Sequence, residues 1–123
     1  MVELSSNVDV DIRDFQSSDS ALEVQVDGVI TALEVSVDIK HSWIGDLRVH
    51  LVSPSGRVVA LHNRSGRGRD DINETYSTED HVGLQVMLGE PARGAWTLMV
   101  SDHARFDTGH IDGWSLKGLV LGA

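Results

Sequence analysis

The chain of 123 residues has no cysteine and very few aromatic side chains. Without cysteine, disulfides, thiolate catalysis and cysteine-ligated zinc are all excluded. No apolar run approaches the roughly 20 residues that a membrane-spanning helix needs. The opening stretch, MVELSSNVDVD, has neither the basic start nor the apolar core of a secretory signal. We therefore expect no membrane partner, and we expect that any export signal belongs to a longer precursor.

Basic residues are also scarce, since 10 lysines and arginines stand against 19 acidic residues and the net charge is −9. A surface of this sign repels a phosphate backbone, which argues against a nucleic-acid partner. The many carboxylates instead suit a hard cation such as calcium. The length fits one domain that spans residues 1–123.

Alternation of apolar and polar residues with period two dominates the chain and predicts strands rather than helices. The clearest segments are TALEVSVDIK, LRVHLV, LQVML, WTLMV and WSLKGLV, with weaker ones at 8–12, 22–26 and RVVALH. The polar stretch 63–81 is predicted to be a long loop. The fold predicted from this pattern is all-β, a jelly-roll-like antiparallel β-sandwich of about eight strands.

Ser101, Asp102 and His103 carry the three side-chain types of a hydrolase triad. In a strand, however, the side chains of Ser101 and His103 point to one face and that of Asp102 to the other, whereas a triad must converge. The sequence also lacks the G-x-S-x-G elbow of the α/β-hydrolases. We expect no catalytic residues in this chain.

Six histidines raise the alternative of a zinc metallohydrolase: His41, His50, His62, His81, His103 and His110. None has the H-E-x-x-H spacing that places two imidazoles on one helical face. His41, His50 and His62 fall on neighbouring predicted strands, so a site built across strands stays open, although surface or strand-end positions explain them more simply.

Two groups of carboxylates are candidate calcium ligands. Asp38 and Asp46 flank the turn at HSWIGD, while Asp102, Asp107 and Asp112 surround Gly109 near the end of the chain. Calcium takes six to eight oxygen ligands, often from irregular turns, and no EF-hand pattern follows Asp102. The same aspartates can equally accept hydrogen bonds from turn amides, and both interpretations stay open.

Two long stretches, HSWIGDLRVHLVSPSGRVVALHNRSG and GEPARGAWTLMVSDHARFDTGHIDGWSLKGLVL, resemble the P domain, also called Homo B, of kexin- and furin-type proprotein convertases and secreted bacterial serine proteases. The resemblance covers essentially the whole chain. The matching positions are His41, Ser42, Trp43, Gly45, Asp46, Leu47, Ser53, Pro54, Gly56, Gly94, Trp96, Leu98, Val100, Asp102, Asp107, Gly109, Ile111, Trp114 and Leu116.

The resemblance implies a non-catalytic jelly roll whose partner is the subtilisin-like catalytic domain of the same exported polypeptide. Such a domain stabilises and regulates the adjacent serine endopeptidase, and structural calcium is implied at the metal candidates Asp38, Asp46, Asp102 and Asp107. The protease's own catalytic residues are not expected here.

A free-standing jelly-roll module that binds carbohydrate or protein ligands is the main alternative. It requires exposed aromatic side chains, and the chain has three tryptophans. Trp96 and Trp114 fall on apolar strand faces and are predicted to be core residues. Trp43, beside the HSWIGD turn, is predicted to be partly buried, either in the core or at a partner surface.

Overall fold

A computed structural model describes residues 2–6, 10–12, 15–64, 66, 68–103 and 109–122 of the chain. These residues form nine strands and two 3₁₀ helices. The strands are β1 (Val2–Ser6), β2 (Val10–Ile12), β3 (Ser17–Val24), β4 (Val29–His41), β5 (Leu47–Val52), β6 (Val58–Asn63), β7 (Ile72–Ser77), β8 (Gly94–Asp102) and β9 (Gly109–Leu121); the helices are Ile44–Asp46 and Val82–Met87. No helix in this part of the chain is long and apolar enough to cross a membrane.

The strands form two antiparallel sheets that pack face to face. One sheet has the order β1-β9-β4-β7, with β2 pairing the same strand β9 further along, and the other has the order β3-β8-β5-β6. The links from β2 to β5 and from β6 to β9 each pass from one sheet to the other, while β5 and β6 form a hairpin. The predicted jelly-roll-like sandwich is confirmed.

Inward-facing apolar side chains of both sheets fill the core, as the period-two pattern predicts. On β4 the residues Leu33, Val35, Val37 and Ile39 are buried, and they alternate with half-exposed polar residues. Trp96 is fully buried and Trp114 is nearly so. Their indole N–H groups donate to Ala92 O (2.8 Å) and Ser20 Oγ (3.0 Å), so burial leaves neither donor unsatisfied.

The strand predicted at LQVML is wrong, because residues Val82–Met87 form a 3₁₀ helix. Leu84 and Met87 are both fully buried and lie three residues apart, which matches three residues per turn. Val86 and Leu88, which completed the apparent alternation, are 45% and 43% exposed. The buried apolar residues thus lie three apart, as in a 3₁₀ helix, and the exposed Val86 and Leu88 produced the apparent spacing of two.

The predicted loop 63–81 contains strand β7, which pairs with β4 from Ile72 opposite Ile39 to Ser77 opposite Glu34. Its sequence, INETYS, lacks apolar alternation because β7 is an edge strand and only Ile72 is buried. Strand β1 was also missed. The strand expected at 8–12 is seen at Val10–Ile12, and its first two residues lie outside the described part.

Candidate functional site

The turn between β4 and β5, residues 41–47, forms one end of the sandwich and is called the corner below. Gly45 and Asp46 belong to the 3₁₀ helix that turns the chain from one sheet to the other. Each carbonyl of that helix accepts a hydrogen bond from another segment. Ile44 O accepts from His62 Nε2 (2.9 Å), Gly45 O from Arg64 Nε (3.4 Å) and Asp46 O from His103 N (2.8 Å). Protein donors therefore already hold the turn.

A buried histidine–aspartate pair lies behind this turn. His41 Nε2 is 3.0 Å from Asp102 Oδ2, and both side chains are 0% exposed. The other ring nitrogen, Nδ1, accepts the Trp43 backbone N–H at 3.0 Å. Because a backbone amide can only donate, Nδ1 carries no hydrogen, so Nε2 donates to the aspartate. The pair joins the end of β4 in one sheet to the end of β8 in the other.

The segment that follows β6 packs over the outside of the corner. Asp71 and His41 exchange two bonds, from Asp71 N to His41 O and from His41 N to Asp71 Oδ1, both at 2.9 Å. Ile44 N donates to Arg69 O at 3.0 Å. A side chain at Gly68 would collide with the Trp43 ring, since its Cβ would lie 2.8 Å from that ring. The ring is thereby fixed with 46% of the residue exposed, which agrees with the predicted partial burial.

The four predicted calcium ligands fall in different environments. Asp46 is 7% exposed and Asp102 is 1% exposed, and both lie in the polar packing behind the corner. Asp38 instead faces outward on β4, and Asp107 lies outside the described residues. In the described part of the chain, no three His, Cys, Asp or Glu side chains are grouped closely enough to hold a metal.

Asp38 has one unusual atom. Its Oδ1 is shielded from solvent and makes no hydrogen bond, although Lys40 Nζ lies 3.2 Å away in a geometry suited only to charge attraction. Asp38 shares an open cleft with Asn73 and Asp112. Asp112 is the extra residue of a β-bulge in β9, because Asp38 pairs with Gly113 and the next pair is Ile39 with Ile111.

The SDH sequence does not form a triad. Ser101 Oγ and His103 Nε2 are 2.8 Å apart on one side of β8, while Asp102 points inward to His41. Burial, followed by the charges of Arg48 and Arg64, lowers the pKa of His103 below its ordinary value. As predicted from the alternation of side chains along a strand, Ser101 and His103 lie on one side and Asp102 on the other.

A second set of motif residues meets at the opposite end of β5, called the hairpin end below. Ser53 Oγ donates to Glu90 Oε1 at 2.8 Å and accepts the Arg57 backbone N–H at 3.1 Å. Glu90 Oε1 also accepts a hydrogen bond from Ser55 Oγ, and Glu90 Oε2 lies 3.4 Å from Arg57 Nε. Sequence reasoning missed Glu90, whose contact with the S-P-x-G turn spans 37 residues.

Two motif glycines are explained by close backbone approach. Gly94 has φ +125, and a Cβ there would lie 2.7 Å from Pro54 Cβ, which links the S-P-x-G and G-x-W motifs directly. A Cβ at Gly109 would lie 1.9 Å from Lys40 O on the neighbouring strand. Both glycines let the chain pack where no side chain fits.

A comparison with protein-family models finds that residues 30–118 match the model described as "Proprotein convertase P-domain". Among curated proteins, the chain is 42% identical over 107 residues to "Calcium-dependent protease" of Nostoc sp., covering 84% of this chain and 16% of that protein. It is 35% identical over 115 residues to "Leupeptin-inactivating enzyme 1" of Streptomyces exfoliatus, covering 90% of this chain and 25% of that protein.

Among solved structures, the serine protease of Aeromonas sobria, determined in complex with the chaperone ORF2, matches with a TM-score of 0.74. That match covers 100% of this chain and 27% of the protease at 22% identity, and it shows a shared fold. The chain therefore spans a quarter or less of the length of the curated relatives described above.

Proposed function

Because this chain belongs to the proprotein convertase P-domain family, we propose that it is the non-catalytic accessory domain of a secreted subtilisin-like serine endopeptidase. The observation that carries this proposal is the match of most of the chain to a small share, 16%, of a much longer protease. In this proposal the remaining polypeptide supplies the catalytic domain and the export signal, and the accessory domain stabilises and regulates the catalytic domain.

The structure supports an accessory rather than a catalytic role. Ser101 Oγ contacts His103 Nε2, while Asp102, the carboxylate between them in the sequence, points to the opposite side and contacts His41. Both ends of the sandwich are instead tied by side-chain contacts between distant segments. A rigid body of this kind can stabilise a neighbouring domain simply by binding its folded state and not its unfolded state.

Calcium is the finer part of the proposal, and the name of the Nostoc relative supports it. At the corner, Ile44 O, Gly45 O and Asp46 O already accept hydrogen bonds, so the turn does not need a cation to hold its carbonyls. The open cleft at Asp38 fits better, since Asp38, Asn73 and Asp112 all offer the oxygen ligands that calcium prefers. The solvent-shielded Oδ1 of Asp38 already has a cationic neighbour, Lys40 Nζ at 3.2 Å, which calcium would have to displace.

Calcium binding is tested by the melting temperature of the chain with added Ca²⁺ and with chelator. We expect Ca²⁺ to raise it and the chelator to lower it, and we expect the variant Asp38→Asn to lose the response. A matched variant at the corner, Asp46→Asn, tests a second of the four predicted ligands. An unchanged melting temperature under both treatments would remove calcium from the proposal.

The accessory role is tested in the full-length polypeptide encoded by the gene, with and without residues 1–123. We expect deletion to reduce the yield of secreted active protease and to hasten thermal inactivation. A gene with no protease sequence beyond these residues, or a deletion without effect, would contradict the proposal. The free-standing carbohydrate module gains little support, because two of the three tryptophans are buried.

A further inference from the structure

The described arginines near the corner form no ion pairs with carboxylates, whereas the other described arginines do. Away from the corner, Arg57 pairs with Glu90 and Arg93 pairs with Asp27. Arg48, Arg64 and Arg69 are exposed, and none of these three forms an ion pair within the described residues. In a chain with 19 acidic residues and a net charge of −9, three arginines without a carboxylate partner require an explanation.

The fold gathers these three arginines around the 3₁₀ helix of the corner. Arg64 Nε donates to Gly45 O, and Arg69 O accepts the Ile44 N–H. Arg48 is the second residue of β5, immediately beyond the corner, and its side chain points away from the core. The three arginines therefore neighbour the same turn, Arg64 through its side chain, Arg69 through its backbone carbonyl and Arg48 through its position in β5, although they come from two separate segments of the sequence.

Trp43 lies at the start of this turn and is held in place before any partner arrives. Its backbone N–H donates to the buried imidazole of His41, and its ring packs on Gly68. It is 46% exposed, whereas Trp96 and Trp114 are 0% and 4% exposed. Tryptophan and arginine are the residues most enriched at the energetic centres of protein interfaces, and a pre-ordered aromatic side chain loses little entropy on binding.

Arg48 and Arg64 bring positive charge to the side of the turn next to His103, although the chain as a whole is acidic. Arg48 and Arg64 both act on His103, whose pKa is lowered by burial first and by these two charges next. Two buried carboxylates lie close by: Asp46 belongs to the turn itself, and Asp102 is turned inward to His41. Asp70 and Asp71 border the patch, in one cleft with Lys40 and His110 and in another with Arg69.

We propose that Trp43, Arg48, Arg64 and Arg69, here called the basic corner, dock onto an acidic surface of the protease part of the same polypeptide. This inference rests on the proposed function. A covalently linked neighbour is favoured because the chain covers only 16% of the Nostoc relative, and tethering gives a high effective concentration. A long polyanion such as nucleic acid or sulfated polysaccharide is disfavoured, because the rest of the −9 surface would repel it.

The charge of the basic corner is tested on the chain alone by fluorescence quenching. Since Trp96 and Trp114 are buried, ionic quenchers report on Trp43. We expect the ratio of the iodide to the caesium quenching constant to exceed that of free N-acetyltryptophanamide, and to fall in the triple variant Arg48→Gln, Arg64→Gln and Arg69→Gln. A wild-type ratio at or below that of the free compound would overturn the proposed complementarity.

Docking is tested in the full-length polypeptide by hydrogen exchange and thermal inactivation. We expect amides of residues 42–48 to exchange at least about tenfold more slowly in the full-length protein than in the isolated chain, because a partner covers them. The triple variant should lose this protection and inactivate several-fold faster. The control Arg57→Gln, Arg93→Gln and Lys117→Gln removes the same charge elsewhere and should leave the exchange of residues 42–48 unchanged, since it leaves the basic corner intact.

Three results would overturn the inference. The first is that residues 42–48 exchange equally fast in the isolated chain and in the full-length protein, and the second is that the two triple variants exchange alike. The third is that heparin binds the chain through the basic corner and slows exchange there, while the protease part does not. If deletion of residues 1–123 still impairs the protease in any of these cases, the accessory role stands and only the docking surface is wrong. If deletion has no effect, both proposals fail together.

Discussion

The two ends of the sandwich are held by the same kinds of contact but differ in how far those contacts are removed from water. At the corner, His41 and Asp102 are 0% exposed at the side chain. At the hairpin end, the Glu90 side chain is 13% exposed and the partnering Arg57 side chain is 55% exposed. A polar contact in a dry site is costly to break, whereas water can replace part of a contact near the surface.

The outer surfaces of the two ends differ in how far their arginine charges are compensated by carboxylates, and here the hairpin end is the better satisfied of the two. At the hairpin end the arginine charge is compensated by Glu90, while around the corner three arginines remain without carboxylate partners in the described residues. The corner is thus the more rigid end inside and the less compensated end outside. Fixing the turn internally allows Trp43 to be exposed in one orientation, and this connects the stability of the fold to its proposed docking surface.

The largest expected effect comes from breaking the buried pair with His41→Ala. The change leaves the Asp102 carboxylate buried without its imidazole partner and leaves the Trp43 N–H without its acceptor. Losing one partner of a buried charged contact costs about 3–5 kcal/mol. Urea unfolding should show this loss, and a cost no larger than that of a hairpin-end substitution would contradict the ranking of the two ends.

A slightly smaller effect is expected for Gly109→Ala, also at the corner end. The new Cβ would lie 1.9 Å from Lys40 O, a backbone atom that cannot move without disturbing the pairing of β4 and β9. Overpacking of this kind costs about 3 kcal/mol. Gly118→Ala on the same strand is the control, since its nearest contact is 3.5 Å and its unfolding free energy should change little.

Most of the sandwich could be predicted from the sequence because core strands record burial in their alternation. Val35, Val49 and Leu98 are buried where the pattern places them. Strand β7 could not be found this way, since an edge strand with one buried residue carries almost no alternation. The 3₁₀ helix was mistaken for a strand because apolar residues also fell two apart in that segment.

The site was only partly predictable for a different reason. The sequence singled out Asp46 at the turn and Asp102 in the group around Gly109, but the partner of Asp102 lies 61 residues away at His41. Likewise, nothing local connects Glu90 to Ser53. Such pairs depend on which strand ends the topology brings together, and composition and spacing do not record that information. The calcium ligands remain a prediction for the same reason.

A moderate effect is expected for Ser53→Ala at the hairpin end. The hydroxyl donates to Glu90 and accepts the Arg57 N–H, and Ser53 is 3% exposed. Removing it should cost about 1–2 kcal/mol, because the buried Ser53 hydroxyl takes part in two hydrogen bonds and the Arg57 amide loses an acceptor. Ser55→Ala is the matched control, since Ser55 is exposed and its loss should cost less. Equal costs would show that water does not replace the outer hydroxyl.

The smallest effect is a pH dependence carried by Glu90. Hydrogen bonds from Ser55 and Ser53, with the Arg57 charge, hold the pKa of Glu90 below its ordinary value of 4.5. Because the pKa of Glu90 is lower in the folded state, its ionised carboxylate stabilises the fold. This stabilisation is complete above pH 4.5 and is lost as the pH falls through the lowered pKa. The free energy of unfolding of wild type should therefore approach that of Glu90→Gln on acidification.

This convergence is measured by urea unfolding of both proteins from neutral pH to about pH 3, below the ordinary range of a glutamate pKa. A double variant, Ser53→Ala and Ser55→Ala, keeps the carboxylate but removes the two hydroxyls that lower its pKa. Its pH dependence should therefore be weaker than that of wild type. If the difference between wild type and Glu90→Gln stays constant across this range, Glu90 does not titrate as part of the hairpin end, and the two ends differ in burial alone.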